Sequence, residues 1–126
     1  MKRRNVLIIG AGGVASVAAH ACASQHLLLG EISIASRTLA KCQKIVEDIA
    51  ARSDERRNAK VRAFQVDAMK PADVSGLIRH TGAEIVINVA SSFVNMSVLR
   101  ACIDNETAYI DTAIHEDPDR VCEAPP

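Results

Sequence analysis

The run Val6-Leu7-Ile8-Ile9-Gly10-Ala11-Gly12-Gly13-Val14-Ala15 constrains this chain more than any other segment. Four consecutive large apolar residues read as a buried strand, and they pass directly into Gly-x-Gly-x-x-Ala. Each small residue meets a separate demand of a phosphate-binding βα turn. Gly10 allows the tight turn, Gly12 lets the backbone approach a pyrophosphate, and Ala15 lets helix and strand pack closely. Val14, Val17, Ala18, Ala21 and Cys22 follow at helical spacing, which predicts a helix whose first amides, at Gly13 and Val14, face the phosphates. A tight βα turn with nothing at its mouth would also use these glycines, so the rest of the chain has to discriminate.

With 126 residues the chain is expected to form one domain. Its hydrophobic content is 48%, yet no apolar run approaches the ~20 residues that span a bilayer. The basic start, Met1-Lys2-Arg3-Arg4-Asn5, precedes only four large apolar residues before the glycines intervene, too few for a signal-peptide core. Fifteen basic and fifteen acidic residues leave no net charge, and one Tyr and two Phe provide few stacking surfaces. These features argue against nucleic-acid and membrane partners. Cys22, Cys42, Cys102 and Cys122 lie far apart, so neither a disulfide framework nor a metal site is expected, and a cytoplasmic location fits. His115-Glu116-Asp117 is ligand-like in composition, but three adjacent loop residues define no metal geometry.

Five predicted strands, at residues 5–9, 31–36, 61–67, 84–90 and 108–112, alternate with four amphipathic helices. That alternation predicts an α/β fold with a doubly wound parallel sheet, a Rossmann-type NAD(P)-binding domain. The second helix carries Leu39, Cys42, Ile45, Val46 and Ile49 inward, with Thr38 as its N-cap. Pro71 opens the third, with Val74, Leu77 and Ile78 inward, and Gly82 stops it. Asn95 is the candidate N-cap of the fourth, which buries Val98, Leu99, Ala101 and Cys102. The mixed-charge segment 52–58 is expected to be a solvated loop.

Ligands of open α/β sheets sit beyond the carboxyl ends of the strands, and polar residues gather at those ends here. An NAD site normally has Asp or Glu about 20 residues beyond the glycines to hold the ribose hydroxyls. This chain has Ala35-Ser36-Arg37-Thr38 instead. Arg37 can pair with a 2′-phosphate through its planar fork while Ser36 and Thr38 donate hydroxyl hydrogen bonds, so NADP is the expected cofactor. Arg37 as a solvated loop residue is the alternative. Asp67, beside Ala68, either accepts from the adenine amine or caps the turn before Pro71. Asn88, Val89 and Ala90 are expected to leave room for ribose and nicotinamide, and Ser91 and Ser92 either face substrate or cap their loop. His20, His26 and His80 lie away from the strand mouths and read as surface or packing residues, so no catalytic base is named.

Taken together, Val6 through Ala15, Ile34-Ala35-Ser36-Arg37-Thr38, Val66-Asp67-Ala68, Val86-Ile87-Asn88-Val89-Ala90 and Ala108-Tyr109-Ile110-Asp111-Thr112-Ala113 resemble the saccharopine dehydrogenase superfamily. The stretch from Thr112 to Asp119 is closer to its carboxynorspermidine dehydrogenase branch. The resemblance implies an NADPH-dependent reductive condensation of aspartate β-semialdehyde with a diamine, giving carboxynorspermidine or carboxyspermidine in polyamine biosynthesis. It also implies a longer, homodimeric enzyme in which a substrate-binding and dimerisation domain follows this one after Pro126. Ser91, Asp111 and Thr112 are then the candidates for facing substrate. Saccharopine dehydrogenase of lysine metabolism and a non-catalytic nucleotide-binding module are the alternatives.

Overall fold

Side-chain alternation along the first strand sets up two hydrophobic layers, one on each face of a single sheet. A computed structural model describes residues 2–112. The elements in order are β1 (Arg4–Ile9), α1 (Gly13–Ser24), β2 (Leu29–Ser36), α2 (Leu39–Ala50), β3 (Val61–Gln65), α3 (Pro71–Thr81), β4 (Ile85–Asn88), α4 (Asn95–Asp104) and β5 (Ala108–Asp111). Short 3₁₀ turns occupy Glu55–Asn58 and Ser92–Val94. All strand pairs are parallel, in the order β3-β2-β1-β4-β5, which is the doubly wound arrangement expected from the alternation of elements.

On one face, Val6, Ile8, Ile32 and Ile34 meet Ala15, Ala19 and Ala23 of α1 and Cys42, Ile45 and Ile49 of α2. On the other, Leu7, Ile9 and Val86 lie under Val74 and Ile78 of α3 and Val98, Ala101 and Cys102 of α4. A central strand covered on both sides has to be apolar throughout, and 6–9 is buried at every position. Cys22, Cys42 and Cys102 are free thiols, the last two buried; burial pushes the Cys102 thiol up to about 11. Cys122 and the segment 115–117 lie outside the described residues. No helix among the described residues is long and apolar enough to cross a membrane.

Several local expectations need correction. The buried stripe of α1 is Ala15, Ala19 and Ala23, while Val14 and Val17 are 58% and 71% exposed. The sheet selects the smallest side chains for its closest contact, so residue size outranks hydrophobicity there. Thr38 occupies the N-cap position of α2 without a side-chain capping bond. Asn95 is the first residue inside α4, Val94 holds the cap position, and the Asn95 side chain is buried. Strand β2 begins at Leu29 and takes in Gly30, whereas β3 and β4 end earlier than expected, at Gln65 and Asn88. In both cases a side chain turns the backbone: Asp67 Oδ1 accepts from the Met69 amide, and Asn88 Oδ1 accepts from the Ala90 amide. Within 52–58, Asp54 caps the 3₁₀ turn by accepting from the Arg56 amide and also binds the Arg56 guanidinium. Pro71 and Gly82 act as expected, Gly82 closing α3 in the left-handed region at φ +66°.

The alanine stripe predicts a reversal of the usual size rule. Ala19→Leu is expected to cost about 1–3 kcal/mol by overpacking, whereas Val17→Ala should change stability by less than ~0.5 kcal/mol. Urea unfolding of the two variants checks this, and a larger loss in Val17→Ala would return the buried face to the valines.

Candidate functional site

Strand order positions the crevice. With β2 on one side of β1 and β4 on the other, the loops leaving β1 and β4 part at their carboxyl ends, which is where such sheets bind ligands. A cleft of about 500 Å³ opens there. Gly10 and Gly12 line it from the β1–α1 turn, Ser36, Arg37 and Thr38 from the end of β2, and Asp67 and Ala68 from beyond β3. Val89, Ala90 and Ser91 line it from beyond β4. Lys41, Met69 and Phe93 also face it. Strand ends alone do not reveal these three, although Lys41 stands four residues past Arg37, on the first turn of α2.

The two glycines are there for different reasons. Gly10 has φ +128°, and a Cβ on it would stand 3.1 Å from both the Ala90 nitrogen and the Val89 carbonyl carbon. Its amide donates to the Ala35 carbonyl at 2.8 Å. The protein's own packing therefore demands glycine at 10. Gly12 has an ordinary extended φ of −85°, and a Cβ on it would meet nothing within 4 Å. Packing does not demand glycine there, but the open space at the cleft wall fits the close approach of a phosphate.

Donors for an anion lie beside that space. The first intrahelical bond of α1 runs from the Ser16 amide to the Gly12 carbonyl at 3.0 Å, so the amides of Gly13, Val14 and Ala15 precede the ladder and have no partner within it. No side chain caps α1, and no acid sits in its first turn; the same holds for α2. Gly13 and Val14 do not line the cleft, and what they can offer is these amides.

The loop at the end of β2 is held from within. The Ser36 hydroxyl donates to the Thr38 carbonyl at 3.0 Å, and it accepts from the Thr38 amide at 3.1 Å and from the Cys42 thiol at 3.3 Å. A hydroxyl has one proton to give, and Ser36, which lines the cleft, gives it to its own loop and so holds the loop's shape. Gln65 Nε2 donates to the Arg37 carbonyl at 3.1 Å. The Arg37 side chain is left projecting from a fixed backbone. Asp67 both lines the cleft and caps its turn: Oδ1 accepts from the Met69 amide at 3.1 Å, and Oδ2 lies 3.9 Å from Lys70 Nζ.

Asn88 does not line the cleft. It is 1% exposed, and its Nδ2 donates to Asn95 Oδ1 at 2.8 Å and to the Tyr109 hydroxyl at 3.2 Å. Its Oδ1 accepts from the Ala90 amide at 3.2 Å, so it holds the backbone that abuts Gly10. Tyr109 in turn donates to Asp111 Oδ2 at 2.7 Å. Desolvation first, then the Asp111 carboxylate, pushes the Tyr109 phenol up to about 12, against the hydrogen bond from Asn88; it stays a donor at ordinary pH. Asp111 and Thr112 are exposed and off the cleft wall. Ser91 lies on that wall, and its hydroxyl accepts from the Phe93 amide at 3.2 Å. His20 and His80 contact Arg56 and Phe64, and His26 lies 3.9 Å from Glu55. None of the three lines the cleft.

A parallel doubly wound sheet, a glycine whose missing Cβ leaves open space, and uncapped helix amides beside it define a dinucleotide-binding domain of the Rossmann type. The chain belongs to the saccharopine dehydrogenase NADP-binding domain family, which matches residues 6–125. It is 39% identical over 113 residues to the carboxynorspermidine synthase of Vibrio alginolyticus, covering 89% of this chain and 27% of that protein. Over 114 residues it is 39% identical to the carboxyaminopropylagmatine dehydrogenase of Synechocystis, covering 90% and 27%. The chain thus spans about a quarter of the length of the curated relatives it matches. Among solved structures, an alcohol dehydrogenase from Thermococcus sibiricus complexed with 5-hydroxy-NADP superposes with a TM-score of 0.67 at 15% identity, over 99% of this chain and 62% of that one. A short-chain dehydrogenase from Veillonella parvula in complex with NADP gives 0.60 at 20% identity, over 87% and 47%. At these identities the structures share the fold.

The contrast between the glycines is testable. Gly12→Val should fold normally, because its φ is ordinary and its Cβ direction is open, yet lose cofactor binding as the branched side chain fills the phosphate space. Circular dichroism and a cofactor titration check both halves, and normal binding by a folded variant would place the phosphate elsewhere.

Proposed function

We propose that this domain binds NADPH for an oxidoreductase that joins an amine to aspartate β-semialdehyde and reduces the resulting imine, yielding a carboxyaminopropyl amine of the carboxynorspermidine or carboxyspermidine type. The observation that carries the cofactor half is the end of β2. Arg37 takes the place where an NAD site has its ribose-binding acid, and it lines the cleft with no carboxylate partner among the described residues. The family supports NADP, and the names of the relatives support the condensation.

Within this reading, Gly12 and the first amides of α1 hold the pyrophosphate, while Arg37 and Thr38 hold the 2′-phosphate. Asp67, Ala68 and Met69 border the adenine. Val89 and Ala90, fixed by Asn88, leave room for the nicotinamide half, with Ser91 on the substrate side. NADPH supplies the hydride for the imine carbon when bound. Such transfer requires the imine to be held against the nicotinamide, so we assign substrate binding and dimer formation to parts of the protein outside this domain. Asp111 and Thr112, at the end of β5, are the candidates for facing them. Free thiols on α1, α2 and α4 fit a reducing compartment such as the cytoplasm.

Two measurements test the reading. In the intact protein, Arg37→Ala should weaken NADPH by roughly ten- to a hundredfold, the loss of a charge-assisted contact, and leave NADH little changed. Equal losses for both cofactors would sink the assignment. Separately, the intact protein should oxidise NADPH when given aspartate β-semialdehyde with diaminopropane, putrescine or agmatine, followed by absorbance. Turnover only with a saccharopine-forming pair would move it to lysine metabolism, and silence with every pair would leave a nucleotide-binding module.

A further inference from the structure

Lys41 stands in the same cleft as Arg37. It lies on the first turn of α2, its amide donating to the Thr38 carbonyl at 3.1 Å, so its stem is anchored in regular helix while Arg37 sits on the preceding loop. Among the described residues seven of the other cations sit in ion pairs; Arg3, Arg57, Lys60, Arg79 and Arg100 do not, and none of those five lines the cleft. Lys44, one turn further along the same helix, binds Asp48 at 3.2 Å; Arg62 binds Glu31 at 3.0 Å; Arg56 and Arg52 share Asp54. Arg37 and Lys41 have no such partner among the described residues. The cleft's own acid, Asp67, is already faced by Lys70 at 3.9 Å. Two uncompensated positive charges thus share the β2 side of the cleft. A protein of zero net charge carries local positive charge there that no carboxylate among the described residues answers.

The hydroxyl inventory points the same way. Ser36 has spent its proton on the Thr38 carbonyl, whereas the Thr38 side chain caps nothing. A phosphate dianion at the end of β2 therefore has one free hydroxyl and two free cations to bind.

We propose that Lys41 is a specificity-determining residue for the 2′-phosphate, forming with Arg37 a two-cation clamp that Thr38 completes; this rests on the NADPH reading above. Arg37 supplies the planar fork, and Lys41 supplies a point charge from the first turn of α2. The Ser36 turn and the Gln65 bond to the Arg37 carbonyl hold the loop backbone from which the Arg37 side chain projects.

The test compares 2′,5′-ADP with 5′-AMP by calorimetry on the intact protein, since the two probes differ only in the 2′-phosphate. Lys41→Met should weaken 2′,5′-ADP by about three- to tenfold, in line with a partly solvated ion pair. It should also flatten the salt dependence of that binding and leave 5′-AMP unchanged. Lys41→Arg, which keeps the charge, should retain most of the affinity. An unchanged melting curve is expected, because the lysine has no protein partner to lose. If Arg37→Ala abolishes the discrimination while Lys41→Met leaves it intact, the clamp is wrong and the NADPH reading stands. Equal weakening of both probes would make Lys41 a general attractant and overturn its specificity role. If neither variant alters 2′,5′-ADP binding, the NADPH reading fails and the clamp fails with it.

Discussion

The turn at Gly10 is wedged between the strands on either side of β1. Its amide is tied to Ala35 at the end of β2, and its α-carbon faces the backbone of Val89 and Ala90 beyond β4, at a distance that leaves no room for a side chain. The ends of β1, β2 and β4 are brought together at that contact. The glycine segment leads from β1 along the cleft wall into α1, and the loop after β4 is held against it by the Asn88 carboxamide. Loss of the close approach would move the Gly12 wall and the Val89–Ala90 wall of the cleft together.

Electrostatics is divided between the two halves of the cleft. On the α1 side the positive potential is carried by backbone amides and a helix end, which are fixed in direction and cannot be titrated away. On the α2 side it is carried by two long side chains, Arg37 on the loop and Lys41 on the first turn of the helix, where one substitution can retune it. On the proposed reading, recognition of the shared diphosphate is built into the fold, while the choice between two cofactors is left to a few side chains.

The legible part of the sequence is the part set by local backbone chemistry. Four apolar residues running into glycines, a proline at the first turn of α3 and a glycine at its end each impose a conformation on their own neighbourhood, and the structure follows them. The misread features depend on tertiary choices. On α1, valine and alanine both count as apolar, and only the proximity of the sheet selects alanine. Ser36 was legible as a polar residue at a strand end, but its hydrogen bonds to Thr38 and Cys42 depend on how the loop closes. Asn88 carried a usable signal: it lies two residues beyond Val86 on the same strand, and alternation puts its side chain in the α4 layer instead of at the mouth. Lys41 was hidden because it belongs to a helix, one turn beyond the strand end where the fold gathers its ligand-facing residues.

The alanine stripe of α1 has a consequence for genetics. A helix that rests on Ala15, Ala19 and Ala23 keeps its height above the sheet by having nothing to spare at those positions, and that height also sets where its leading amides hang. A missense allele that enlarges Ala19 would lift the helix and displace the leading amides to which the proposed function gives the pyrophosphate. In a mutant screen such an allele would score with the glycine mutants and share their phenotype, although the altered residue never meets the ligand. Suppressors of it should arise on the facing strands, where trimming Ile8 or Ile34 restores room, and not among the residues of the cleft.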